Sequence, residues 1–403
     1  MKKLGALGQW LRGILRRDLV VETAPAVPDA PTRTREAVDH VVLMDGTMGS
    51  LAPGFETNIG HIFKLLRDQR NARLSVYYDP GVQWQAWRQL SDVATGQGIN
   101  DQIRAAYGWL ATRYRPGDRI WLMGYSRGAF AARSLGGIID QVGLVRTDQA
   151  TERNVRLAWR YYQSAEARPA RAAFVRRFCH PRADVGIEMI GVFDTVKALG
   201  IRLPFLWVWT EPQHDFHSHA LGEVVHNGFH AMALNERRVA FLPILWNTRA
   251  AHPGQHVEQV WFRGAHGDVG GQLGGDQRAR PLANIPLVWM LERAEACGLP
   301  LPADWRGRFP TDVAARSVGM NRSWGKLFIL RGRRPVGGDP SERMHPTAVQ
   351  PGRPAMPALP VLGEPFAAPL GEALSETMAE GGLSRQVVQA TFSSAASGTS
   401  PSA

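Results

Sequence analysis

At 403 residues and 44% hydrophobic content, the chain has material for one large α/β domain with tails, or for two or three average domains. Its formal net charge of +11 points to acidic partners, but no nucleic-acid reading motif accompanies the charge, so anionic lipid is favoured over nucleic acid. Cys179 and Cys297 lie far apart and outline no disulfide framework, and no window approaches the ~20 apolar residues of a membrane span.

Residues 1–18 place Leu4, Leu7, Trp10, Leu11, Ile14 and Leu15 on one helical face, beside Lys2, Lys3, Arg12, Arg16 and Arg17. An interfacial membrane helix and a poorly ordered terminal helix both fit. Gly5, Gly8 and Gly13 favour the second, at ~1 kcal/mol of helix stability each relative to Ala. Without an adequate apolar h-region or a small-residue cleavage site, no Sec signal is expected. The reading is therefore a cytoplasmic protein, with peripheral membrane attachment open. Pro25, Pro28 and Pro31 mark a linker, so residues 1–37 form an N-terminal segment.

From His40, strands and helices alternate. Val41 to Met44 reads as a buried strand ending at Asp45-Gly46-Thr47, and Asn58 to Arg70 as a helix. Leu74 to Tyr78 is a strand closed by Asp79-Pro80-Gly81, and Asn100 to Tyr114 a helix. Ile120 to Met123 is a further buried strand, with helical spacing from Ala129 to Ile139. Such alternation predicts a mainly parallel sheet with helices on both faces.

One or two basic helices are expected within 151–179, as part of a helical cap inserted at about 145–183. Ile187 to Phe193 is a strand ending at Asp194, and Val257 to Phe262 a strand ending at the His266 loop. Residues 220–236 and 284–297 are expected to be helical. The run Ile201 to Trp209 is apolar enough for a lid, an acyl-chain wall or a core plug. The hydrolase-like domain is placed at 38–350. Residues 351–403, rich in Pro, Ala and Ser, are expected to be a disordered tail.

Gly124-Tyr125-Ser126-Arg127-Gly128 matches G-x-S-x-G, with a strand before and a helix after, the context of a nucleophile elbow. Gly124 and Gly128 let strand and helix approach closely, and the Arg127 backbone N–H faces an oxyanion formed at Ser126. Three candidates follow three strands in the order Ser126, Asp194, His266. Serine needs a base to attack, His266 can take and return its proton, and Asp194 can orient the imidazole. Asp268 is the alternative acid. A second oxyanion donor belongs in the loop after the first core strand, at Gly46 or Thr47. Asp45 reads as either a hydrogen-bond hub or a cation site. His214, His217 and His219 fit no closed zinc pattern, and no P-loop or dinucleotide fingerprint appears, so neither metal nor cofactor is expected.

Together these segments resemble the bacterial and fungal α/β-hydrolase family known as DUF2235, which includes the first family of type VI secretion phospholipase effectors. The resemblance rests on Met44-Asp-Gly-Thr47, Thr57-Asn-Ile59, Tyr78-Asp-Pro-Gly81, Gly124 to Ala129, Phe193-Asp-Thr-Val196, His230 to Arg238, Trp261 to Gly271 and His345-Pro-Thr347. It implies an α/β-hydrolase fold over roughly 39–350, with Ser126, Asp194 and His266 as triad and export by a non-Sec route as an option. Asn235 departs from the family's usual Asp. The effectors usually carry a large additional membrane-anchoring region, for which this chain has little room. The expected function is carboxylic-ester hydrolysis, with phospholipid as one substrate class. The alternatives are a soluble esterase or thioesterase, or a non-catalytic interaction module retaining the fold.

Overall fold

A computed structural model describes residues 35–81, 83, 97–164, 168–196, 220–320, 330–349 and 359–363, and the backbone of 20–22. The N-terminal amphipathic segment, the apolar run at 201–209 and His214, His217 and His219 lie outside the described residues.

The strands are β1 (Val20–Glu22), β2 (Asp39–Met44), β3 (Leu74–Asp79), β4 (Arg119–Tyr125), β5 (Ile187–Phe193), β6 (Val225–Ala233), β7 (His256–Phe262) and β8 (Glu342–Met344). They form one sheet in the order β1-β3-β2-β4-β5-β6-β7-β8. Only β1 runs antiparallel to its neighbour. The central strands are continuous apolar runs because helices cover both of their faces. The chain steps outward from β2 to β3, then returns to the other side of β2 as β4. This reversal opens a crevice beyond the carboxyl ends of β2 and β4, the usual ligand position in such sheets.

The helices are α1 (Asn58–Asp68), α2 (Gln97–Ala111), α3 (Arg127–Val142), α4 (Glu152–Gln163), α5 (Arg168–Phe178), α6 (His266–Gly270) and α7 (Arg280–Ala296). Thr57 caps α1 by accepting the Gly60 N–H at 3.0 Å. On one face, α2 and α3 pack on Val42, Ile120, Leu122 and Ile190. On the other, Phe63 of α1 meets Tyr78 at 4.9 Å between ring centroids. On that same face α7 packs so closely that a Cβ at Gly191 would lie 2.7 Å from Met290 Sδ.

The helical insertion comprises α4, packed against α2 and α3, and α5, packed against α4. Tyr162 sits against Gly137, where a Cβ would come within 2.6 Å of its hydroxyl, and Val155 sits against Gly108. Trp159, Tyr162 and Phe174 thereby join the core of that face.

Two expectations are corrected. Residues 220–236 do not form a helix: Val225–Ala233 is β6, paired in parallel with β5 and β7. Gly228-Phe-His-Ala-Met-Ala233 is buried on both sides and apolar but for His230, so its periodicity cannot separate strand from helix. Pairing on two edges then overrides the helix preference of Ala and Met. Residues 360–362, within the segment expected to be a tail, also pack on the domain. Met344 N–H donates to Pro360 O at 2.9 Å and Leu362 N–H to Met344 O at 2.8 Å, so residues 360–362 cover the β8 edge.

Candidate active site

The elbow follows from close contact between β2, β4 and α3. A Cβ on Gly124 would lie 2.4 Å from Gly128 O, and one on Gly128 only 2.1 Å from Met44 O. Neither position accepts a side chain. Ser126, between them, has φ 57° and ψ −119°, a left-handed conformation costing a non-glycine residue ~1–3 kcal/mol. Its backbone N–H donates to Phe193 O at 3.0 Å, which ties the turn to the end of β5.

Register aligns the neighbouring strand ends. Tyr125 pairs with Phe193 and Phe193 with Ala231, so the residues following β4 and β5 emerge side by side. His266 begins α6 just beyond β7. Its Nε2 lies 2.8 Å from Ser126 Oγ and its Nδ1 lies 2.6 Å from Asp194 Oδ2. With Nδ1–H donating to the carboxylate, Nε2 is left as acceptor for the serine hydroxyl. The imidazole is 4% exposed, with Tyr125 at 4.9 Å on one side and Phe241 at 4.8 Å on another. Glu236 Oε2 accepts the His266 backbone N–H at 3.2 Å, and Arg238 pairs with that carboxylate at 2.6 Å.

Asp194 is fully buried and also left-handed, with φ 43°. Its Oδ1 accepts the Ala233 N–H at 2.9 Å. A residue absent from the sequence motifs completes its surroundings. Arg334 places Nη1 2.5 Å from Oδ1 and Nη2 2.8 Å from Oδ2. Burial alone would raise the Asp194 pKa. The charge and hydrogen bonds of Arg334, aided by His266, instead hold it far below the usual carboxylate range. Burial lowers the His266 pKa and the bond to Asp194 only partly opposes this, so the ring is neutral near pH 7 and able to accept a proton.

Asp268 faces elsewhere. Three residues into the turn from Ala265, its carboxylate reaches back to the Ala265 N–H at 2.8 Å. It also accepts Ser317 Oγ–H at 2.6 Å and the Val318 N–H at 2.7 Å. Its contacts cap α6 and hold the 317–318 loop, and none reaches the imidazole. Asn235 supplies what its position needs, since its side-chain carbonyl accepts the Gly264 N–H at 2.8 Å.

Among the oxyanion candidates, Arg127 opens α3, where geometry leaves the first N–H groups without helical partners. Gly46 has a partner of its own. It lies against the elbow, with its Cβ position 3.4 Å from Ser126 Cβ, but its N–H donates to Asp45 Oδ1 at 2.7 Å. Asp45 Oδ2 accepts Thr57 Oγ1–H at 2.7 Å and Tyr78 O–H at 2.8 Å, so the carboxyl organises the loop after β2. Burial pushes its pKa up to about 7 despite these bonds.

A parallel sheet with a strained serine elbow and an imidazole at its carboxyl edge defines the α/β-hydrolase class. Within that class the chain belongs to the type VI secretion phospholipase effector Tle1-like catalytic-domain family, whose model matches residues 39–293. A relative, an uncharacterized protein of Saccharomyces cerevisiae, is 28% identical over 230 residues, covering 50% of this chain and 31% of that protein. An uncharacterized protein from Pseudomonas aeruginosa aligns at 17% identity and TM-score 0.43, over 68% of this chain and 49% of that one. The Tle1 effector bound to the VgrG spike aligns at 16% identity and TM-score 0.27, over 64% of this chain and 57% of that one. A butyrate-bound esterase from Thermogutta terrifontis aligns at 13% identity and TM-score 0.35, over 70% of this chain and 90% of that one. The chain thus spans about a third of the yeast relative and about half of the Pseudomonas chain.

Proposed function

We propose that the chain is a serine hydrolase that cleaves carboxylic esters through an acyl-enzyme, with glycerophospholipids as its substrate class. The observation that carries the chemistry is the unbroken chain of short contacts from Ser126 Oγ through His266 to Asp194. Ser126 attacks the acyl carbonyl as its proton passes to His266 Nε2. The tetrahedral oxyanion is met by the Arg127 N–H and a Thr47 donor. Collapse breaks the ester bond, and the alkoxide leaves with the proton from His266. Water then repeats the sequence and frees the fatty acid and Ser126. Phospholipid as substrate, and export by a type VI rather than a Sec route, rest on the family description. Contact with anionic membrane rests on the net charge of +11.

The test is a fluorophosphonate label followed by a panel of short soluble esters, thioesters and phospholipid vesicles with and without anionic lipid. Wild type should label at Ser126, and Ser126→Ala should lose the label while unfolding at an unchanged temperature. Label persisting on another serine would sink the nucleophile assignment. Turnover of short esters with every vesicle left intact would replace the phospholipase reading by a soluble esterase.

A further inference from the structure

Arg334 lies beyond the residues matched by the family model, yet it reaches the centre of the site. It is 5% exposed and engages both oxygens of Asp194 in a fork. The same guanidinium donates to Ala233 O at 2.9 Å and to Phe241 O. Ala233 ends β6, and the Phe241 ring lies beside that of His266. The cation is therefore held by four acceptors drawn from three separate segments. A buried guanidinium is retained only where its charge is paired, and here its partner is the group that faces His266.

We propose that Arg334 is the positioning residue of the acid–histidine pair: it aims Asp194 Oδ2 at His266 Nδ1 and, by neutralising that carboxylate, sets the pH at which the imidazole takes up a proton. Aim comes from the fork, because a carboxylate held at both oxygens cannot rotate away from the ring. The pH effect comes from charge. An acid paired with a cation offers less stabilisation to an imidazolium than an unpaired carboxylate would. The other groups facing the two side chains are accounted for. Glu236 and Tyr125 lie beside His266, with Glu236 neutralised by Arg238. His230 faces Asp194 through the Thr195 turn and is kept neutral by burial and the nearby Arg133. Arg334 is thus the cation whose removal alters the charge of the acid itself.

The inference rests on the acyl-enzyme reading, and the experiment separates the two. Wild type, Arg334→Lys and Arg334→Met are compared on a short chromogenic ester for kcat, KM and the pH profile of kcat/KM, with fluorophosphonate labelling and thermal unfolding alongside. Arg334→Met should lower kcat ~10²-fold with little change in KM, in line with losses from disturbed triad geometry. Its acidic limb should move to higher pH by about one unit as Asp194 regains its full influence on His266. Arg334→Lys keeps the charge but loses the fork, so it should fall between them in kcat with its limb near wild type. In an Asp194→Asn background, Arg334→Met should cost little more, because it acts through Asp194. A folded Arg334→Met with wild-type kcat or an unmoved limb overturns the proposal. Should Arg334→Met fail to fold, Arg334→Lys decides: reduced kcat at unchanged KM supports it, and wild-type kcat overturns it. Absence of label on wild-type Ser126 removes the acyl-enzyme reading, and this inference with it.

Discussion

Asp194 and Asp268 are both buried carboxylates within a few residues of a strand end, and chain position alone does not separate them. Contacts do. Asp194 meets His266 Nδ1 at 2.6 Å, whereas Asp268 is occupied by Ala265, Ser317 and Val318. Asp194→Asn should lower kcat ~10³–10⁴-fold, since an amide beside Nδ1 favours the wrong tautomer. Asp268→Asn presents an amide N–H to donors and should cost ~1–3 kcal/mol of stability while changing kcat less than tenfold. Steady-state kinetics with thermal unfolding on both variants checks this. A crippled Asp268→Asn beside a mild Asp194→Asn reverses the assignment.

Among the elements, α3 is the one whose position the site depends on most, and glycine sets how close it comes. At Gly128 a methyl group would collide with the Met44 carbonyl, which is backbone and cannot step aside. Gly128→Ala should therefore push α3 off β2, displace Ser126 and slow fluorophosphonate labelling by at least ~10²-fold. Gly108 in α2 is the contrast. There a Cβ would meet Val155 at 3.6 Å, an ordinary contact. Gly108→Ala should stabilise the protein by up to ~1 kcal/mol, from helix propensity, with labelling unchanged. Denaturant titration and labelling rates on the pair test whether close approach, and not glycine flexibility in general, is what the elbow needs.

For the whole molecule, buried histidines govern the response to acid. Burial lowers His230 to about 3, and His61 and His345 to about 4. The unfolded chain protonates them near pH 6.5, so between about pH 6.5 and 4 it binds more protons than the folded chain. Stability then falls with pH, by up to ~1.4 kcal/mol per pH unit for each such group. Asp45, raised to about 7, works in the opposite direction: its contribution is present at low pH and lost as pH rises through about 7. His226, raised beside Glu188, also opposes but is largely exposed. With these three lowered histidines, and His180 and His266 lowered as well, the net expectation is a denaturation midpoint that declines steadily from pH 7 to pH 4.5. A midpoint that is flat or rising over that interval would show that the lowered histidines do not outweigh Asp45 and His226.

What the sequence determined by itself was local. Strand ends, the glycine–serine–glycine turn and the order of Ser126, Asp194 and His266 follow from backbone sterics and apolar runs within a few neighbouring residues, so they were legible without a fold. The tertiary structure decided whatever depends on distant segments meeting. It made Val225–Ala233 a strand because two neighbours were there to pair with it. It turned the Gly46 N–H toward Asp45, a choice that a D-G-T triplet does not reveal. It placed Arg334 on Asp194 across 140 residues of sequence, and one arginine in the run Arg331-Gly-Arg-Arg334 carries no local mark of it. Turns are selected by short-range strain, which the residues themselves encode. Buried charge is paired by long-range packing, which only the assembled sheet can specify.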